Sequence, residues 1–448
     1  MSQFFTDRHK RQLLVISRRW RRRIIFLCGG LAVGVAAVAL AGAADAAQIV
    51  FESFRGRFPY GSLILTPLGF ALIAFLTSRY FPAAAGSGIP QAIAARRLKE
   101  TEKRAKLVSL RIAAGKTVLT LLGLVIGASI GREGPTVQIG ASIMSAIGRL
   151  SPRRQPGLIL AGAAAGVAAA FNTPLGGIVF GIEEMSRSFE VRASGLIIGA
   201  VILGGVTSLA FVGSYTYFGN SSAALNVAAD WLAVPLCGVT GGLLGGLFSR
   251  FIVAMADIKR RARVPAKDRG LRRIASHMRE WTATHPTLFA AICGLGVALC
   301  GFASGGAAHG TGYAHARDAL HGAPLSDSFL PMKLAATALS SISGIPGGIF
   351  APSLAIGAGL GADFAPLFPD AAGAVVLLGI VSYFTGVVQA PITGFVIVSE
   401  MTNDHTMLVP LMASAVIADA VSKLVCREGI YHALARRIDE RQTGERVP

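Results

Sequence analysis

Residues 157–182, 231–256 and 371–398 are apolar almost without interruption, and about 20 such residues cross the hydrocarbon core of a bilayer. Further apolar runs lie at 24–49, 60–79, 107–130, 137–148, 194–213, 287–305, 330–342, 349–365 and 406–426. Runs of this length have to satisfy their backbone hydrogen bonds internally, which predicts an all-α polytopic membrane protein. Only 15% of the residues are charged, against about 25% in an ordinary soluble domain. The 54 glycines are spread through the apolar runs, a distribution suited to helices packed backbone to backbone in lipid.

The formal charge of +19, from 43 Lys and Arg against 24 Asp and Glu, does not signal nucleic-acid binding. The basic residues collect in short polar segments at 8–23, 96–106 and 257–286, the pattern of cytoplasmic loops beside anionic headgroups. Within 259–279 nine Lys and Arg face one acid, Asp268. Residues 8–23 read as an interfacial helix that leads into the first span. No cleavable signal is expected, and the N-terminus is placed in the cytoplasm. The cysteines Cys28, Cys237, Cys293, Cys300 and Cys426 lack metal-ligand spacing and read as small buried hydrophobes. No cofactor or metal is expected.

Several apolar runs are too short to span. Residues 137–148 follow Pro135 and 353–365 follow Pro352, and proline is favourable at a helix start, where its missing N–H has no partner to lose. A helix that begins in mid-membrane offers its amides and the positive end of its dipole to an anion. Interrupted helices of this kind mark transporter binding sites. Three strings carry the pattern: Gly86-Ser87-Gly88-Ile89-Pro90, Gly131-Arg132-Glu133-Gly134-Pro135 and Gly347-Gly348-Ile349-Phe350-Ala351-Pro352. Ser-Gly-Ile-Pro occurs at both 87–90 and 343–346, too short a string to mean much alone; two halves of similar hydropathy, each with proline-started short helices, suggest an internal duplication with the site between two inverted halves. Glu133 is a carboxylate in an apolar region and by default marks an ion or proton path. Aimed at amide donors, it can occupy the anion's own position until protonation removes its charge. Glu183 and Glu184 end an apolar run; they read either as an interfacial pair or as a proton relay on the face opposite Glu133.

These residues resemble the CLC family of chloride channels and transporters. Gly-Ser-Gly-Ile-Pro, Gly-Arg-Glu-Gly-Pro and Gly-Ile-Phe-Ala-Pro stand in the family's order, and 162–177, 182–185, 390–394 and 400–402 agree as well. The resemblance implies a CLC-type bundle of tilted and broken helices in two inverted repeats. The halves would span 24–218 and 219–435, between a basic cytoplasmic segment 1–23 and a short tail 436–448 without regulatory domains. It implies that Ser87 and Tyr431 offer hydroxyls, and Ile349 and Phe350 amides, to a central chloride. Amides around Gly131, Arg132 and Glu133 would line an outer site. Glu133 resembles the external gating glutamate, Glu184 the internal proton-transfer glutamate, and Lys116 a buried lysine of the family. Gln91 and Ile93 stand where bacterial exchangers carry acids, a departure that touches the intracellular proton route. Ser87 favours chloride over nitrate or fluoride.

The implied activity is chloride/proton antiport in a bacterial inner membrane, by a homodimer with one pore per subunit and lipid around it. A passive chloride channel is the alternative, and Glu184 favours the exchanger. An intramembrane hydrolase using Ser87 would need a base within reach, whereas His277, His309, His315 and His405 lie mostly in polar segments; no enzyme activity is expected.

Overall fold

A computed structural model describes residues 2–149, 151–186, 191–213, 216–221, 223–225, 227–261, 281–282 and 284–443, without the side chains of 2–22, 191–194 and 258–261. Most of the basic segment at 257–286, with Asp268 and His277, therefore lies outside the described residues, as do the side chains of 8–22 and the final residues 444–448. The fold is all-helical. Among the described residues nine helices are long and apolar enough to cross a membrane, and extended pairing is confined to two isolated bridges. The outer helices Ser62–Tyr80, Pro286–Ala303 and Leu408–Val425 carry exposed Leu68, Phe302 and Leu424, which suits a lipid-facing surface. At the centre, the helix Ala372–Val388 is buried almost throughout.

Residues 8–23 do not form a separate interfacial helix. The backbone runs as one helix, Ser2–Arg57, from this segment through the first span. Two runs read as continuous are broken. Residues 157–182 divide into Gln155–Phe171, Pro174–Phe180 and a π-helical turn Gly181–Ser186, and 371–398 divides into Ala372–Val388 and Pro391–Thr402. The cause is local. Thr173 and Ala390 each precede a proline and are forced out of the helical region, at φ −122 ψ 82 and φ −132 ψ 81. Asn172 and Gln389 before them take left-handed conformations that end the helix.

These paired breaks expose the repeat. Helices Glu133–Gly148 and Phe350–Phe364 begin 217 positions apart (133 and 350), and so do Gln155–Phe171 and Ala372–Val388 (155 and 372) and Pro174–Phe180 and Pro391–Thr402 (174 and 391). The two Ser-Gly-Ile-Pro strings are not counterparts in this register. Pro90 lies in the first turn of Ile89–Arg97, whereas Ser343 ends the helix Phe329–Ser343 and Pro346 lies in extended chain. The repeat lies in the proline-started helices of the two halves, and the short string shared by 87–90 and 343–346 is a coincidence.

Close contact within each half rests on glycine. A side chain at Gly140 would strike the backbone of Gly162, and one at Gly357 would strike that of Gly379. The halves are then tied by a reciprocal pair of caps. The Glu183 carboxylate accepts from the amides of Ile392 (3.1 Å) and Thr393 (2.6 Å), and the Glu400 carboxylate accepts from Leu175 (3.0 Å) and Gly176 (2.6 Å). Each acid stabilises the positive end of a short helix in the other half. This resolves the Glu183-Glu184 pair, since Glu183 is the staple.

Removing either carboxylate leaves two amides without their charged acceptor, at a cost of about 1.5–3 kcal/mol per charged hydrogen bond. We expect Glu183→Ala and Glu400→Ala to lower the thermal unfolding midpoint of the detergent-solubilised protein by similar amounts. A neutral result for one but not the other would contradict the reciprocity.

Candidate functional site

The three glycine- and proline-rich strings meet in the middle of the molecule through their backbones. Gly131 and Gly348 exchange both hydrogen bonds, at 2.7 and 2.8 Å, and Gly86 pairs with the 345–347 segment through its N–H to Ile345 O (3.1 Å) and its carbonyl from Gly347 N–H (3.0 Å). From this junction Ile89–Arg97, Glu133–Gly148 and Phe350–Phe364 run outward, with Pro90, Pro135 and Pro352 in their first turns. Three helix N-termini therefore converge, with their orphan amides and positive dipole ends directed at one region.

Glycine is obligatory at the contact. A Cβ on Gly134 would lie 2.5 Å from Ser87 Oγ and 3.1 Å from Gly348 Cα, and Gly88 has φ +106, open only to glycine. The loop before Ser87 is held by Lys116, which is fully buried; its ammonium donates to Ala84 O at 2.8 Å and also to Gly86 O. Lys333, 217 positions on (116 and 333), repeats the device. It too is fully buried and donates to the carbonyls of Ala308 (3.1 Å), His309 (3.1 Å) and Gly310 (2.8 Å). Two buried ammonium groups thus organise loops by carbonyl contacts. Sequence reading singled out the first and missed the second, for which a lysine in an apolar run was the available signal.

Glu133 begins its helix with a fully buried side chain. Its carboxylate faces its own amide and that of Ala351 without reaching hydrogen-bond geometry, and Arg132 Nε is 4.0 Å away. Arg132 does not neutralise it closely, because the guanidinium turns to Asp45 (2.6 Å) and Ala41 O (2.6 Å) on the first helix. Glu133 is thus neither in a tight ion pair with Arg132 nor a satisfied helix cap.

Ser87 and Tyr431 bring the other polar groups. The two hydroxyls face each other, both are buried, and neither makes a well-formed hydrogen bond within the described residues. Tyr431 is thus no interfacial anchor. Its hydroxyl lies in the field of both Glu133 and Glu184. Among the described residues no side chain accepts a well-formed hydrogen bond from Ser87 Oγ. Ile349 is the residue before the Phe350 helix. The Phe350 ring packs on Phe384 (4.3 Å), Phe171 (5.2 Å) and Phe180 (6.4 Å), an apolar wall beside the polar junction.

Glu184 is buried in the π-helical turn, one residue beyond the staple Glu183. A cavity of about 220 Å³ opens below Ser87, lined by Gln91, Met255, Gly344 and Arg437 among others. Arg437 is held there by a two-pronged pair with Asp257, at 2.7 Å on each prong. Gln91 is fixed by its amide to Ala85 O (2.6 Å), so this neutral side chain carries no proton toward the site.

Residues 69–423 match the profile of the family described as "Voltage gated chloride channel". The chain belongs to that family. A relative named "H(+)/Cl(-) exchange transporter ClcA" from Yersinia pestis bv. Antiqua (strain Angola) is 32% identical over 418 residues, 86% of this chain and 81% of the relative. The protein of that name from Yersinia pseudotuberculosis serotype O:3 (strain YPIII) matches to the same extent, at 32% over 418 residues. Among solved structures, a slow cyanobacterial Cl−/H+ antiporter aligns with a TM-score of 0.75 at 23% identity, over 93% of this chain and 99% of that one. A CLC-type fluoride/proton antiporter gives 0.74 at 23% identity, over 92% and 96%. At that identity the likeness is one of fold. The chain is a multi-pass integral membrane protein of the CLC type.

The close contact at Gly134 gives a direct test of the junction. We expect Gly134→Ala to displace Ser87 and lower chloride flux into liposomes by about tenfold, since an ångström of misplacement at a working site has effects of that order or larger. Unchanged flux with intact folding would show that the packing of Gly134 on Ser87 does not matter to transport.

Proposed function

We propose that the protein exchanges chloride for protons across the membrane, with Glu133 as the gate and Glu184 as the proton-transfer group on the opposite side. The observation that carries this reading is the buried, poorly satisfied carboxylate of Glu133 at the meeting point of helix N-termini. In the reading, amides of Gly131, Arg132 and Glu133 line an outer anion position. Those of Ile349 and Phe350, with the hydroxyls of Ser87 and Tyr431, make the central one. Arg132 contributes its backbone, since its side chain is engaged by Asp45.

The electrostatics make the two anions alternate. Unit charges about 4 Å apart repel by about 4 kcal/mol at an effective dielectric of 20, so an ionised Glu133 and a neighbouring chloride compete for the same donors. Protonation removes the charge, and the side chain leaves the donors to chloride. When the carboxyl gives up its proton it regains its negative charge, and chloride is expelled. Partial charges of amides and hydroxyls suit this cycle, because they bind an anion without trapping it. Glu184 would pass protons between Glu133 and the face that bears the cavity under Ser87, taken as cytoplasmic together with the termini. The names of the 32%-identical relatives support proton-coupled exchange. A homodimer with one pore per subunit belongs to the same reading.

Purified protein in liposomes under a chloride gradient tests this. Wild type is expected to move protons against the gradient of pH as chloride flows, while Glu133→Ala and Glu184→Ala each reduce proton movement by about tenfold or more with chloride flux persisting. Chloride flux in wild type with no proton movement would instead establish a passive channel. Full coupling in Glu133→Ala would remove the central assignment.

A further inference from the structure

His432 is buried beside Tyr431 and makes polar contacts on both ring nitrogens. Its Nε2 lies 2.6 Å from the backbone carbonyl of Glu184 and 3.5 Å from Glu184 Oε1. Its Nδ1 lies 2.8 Å from Arg97 Nη2. A guanidinium can only donate, so Nδ1 must be the acceptor and the ring proton must sit on Nε2. The Arg97 contact therefore selects the tautomer that directs an N–H at Glu184, as a neighbouring group commonly does for a functional histidine. Arg97 is itself held by Asp439 at 3.4 Å and reaches solvent, whereas His432 and Glu184 do not. Arg96, the preceding residue, donates to the carbonyls of Met185 (3.0 Å) and Ser186 (3.3 Å) and to Ser186 Oγ (2.9 Å). The end of the helix Ile89–Arg97 thus grips the π-helical turn carrying Glu184 in two ways, directly through Arg96 and through the histidine by way of Arg97.

We infer that His432 is a positioning residue for proton transfer, an imidazole locked by Arg97 so that its Nε2–H fixes the main chain of Glu184 and faces its carboxylate. The inference rests on Glu184 handling the internal proton. A carboxyl that exchanges protons with a distant partner has to be held within a fraction of an ångström of its productive placement. The π-helical turn Gly181–Ser186 is irregular backbone that does not supply such rigidity alone. The ring works as a fixed donor and need not titrate, because its second nitrogen is already occupied by a permanent cation.

Glutamine separates this role from a titrating relay, since its amide both donates and accepts but does not ionise. Liposome flux of chloride and protons, measured together, is expected to show that His432→Ala lowers protons moved per chloride about fivefold. His432→Gln is expected to retain most of the coupling, and Arg97→Met, which frees Nδ1, to give a partial loss. Coupling lost equally in His432→Gln with chloride flux preserved would overturn positioning in favour of titration. Coupling undiminished in His432→Ala would also overturn it. Should His432→Ala fail to fold, Arg97→Met and His432→Gln decide the matter, and wild-type coupling in Arg97→Met counts against the tautomer lock. Glu184→Ala run alongside keeps the two ideas apart. If it remains coupled, the role of Glu184 falls; if it uncouples while His432→Ala does not, only the role of His432 falls.

Discussion

The backbone pairing of Gly131 with Gly348 is the contact on which the site depends. It joins the two halves at the point where the chain leaves one helix and enters the next, using groups that a continuous helix would have consumed internally. Irregular backbone at this depth is tolerable only when something else satisfies it. Here each half supplies the donors and acceptors the other lacks. With the junction made, the helices that start from it have no choice of direction, and their free amides converge.

The staples formed by Glu183 and Glu400 act on the same principle at the flank. A carboxylate from one half caps a short helix of the other, and the arrangement recurs by symmetry. Buried Lys116 then sets the loop that leads into the junction, and buried Lys333 the loop at 308–310. In each case a charge in an apolar setting is stabilised by backbone dipoles rather than by an opposite charge. Glu133 differs: among the described residues it is the acid with both buried carboxylate oxygens lacking a hydrogen-bond partner, the contrast on which its proposed role rests.

Much of this was legible in the sequence. The apolar runs set the class, the prolines after Gly131 and Gly348 gave the short helices, and the CLC-like strings placed Ser87, Glu133 and the 348–352 segment. Hydropathy could not see the breaks at Thr173 and Ala390, because they cost no polarity, only a proline and a left-handed residue. The repeat was legible in the proline-started helices of both halves, but not its register, which relates residues as different as Glu133 and Phe350 and leaves the two Ser-Gly-Ile-Pro strings unmatched. Glu400 was legible only as part of a matching string, since its partners are amides distant in the chain. His432 was invisible as well, because a histidine beside a tyrosine says nothing until Arg97 and Glu184 are seen on its two nitrogens.

That register has a consequence of its own. At the constant offset, Glu133 stands opposite Phe350 and Glu184 opposite Met401 (133 and 350, 184 and 401), so both proposed proton-handling residues belong to the first half. A scaffold of two inverted halves treats the two sides of a membrane alike and has no inherent front or back. Polarity enters where the halves differ chemically, at an acid matched by a phenyl ring and an acid matched by a thioether. The frame repeats while its chemistry does not, so any difference between the two faces has to reside in side chains such as these rather than in the backbone.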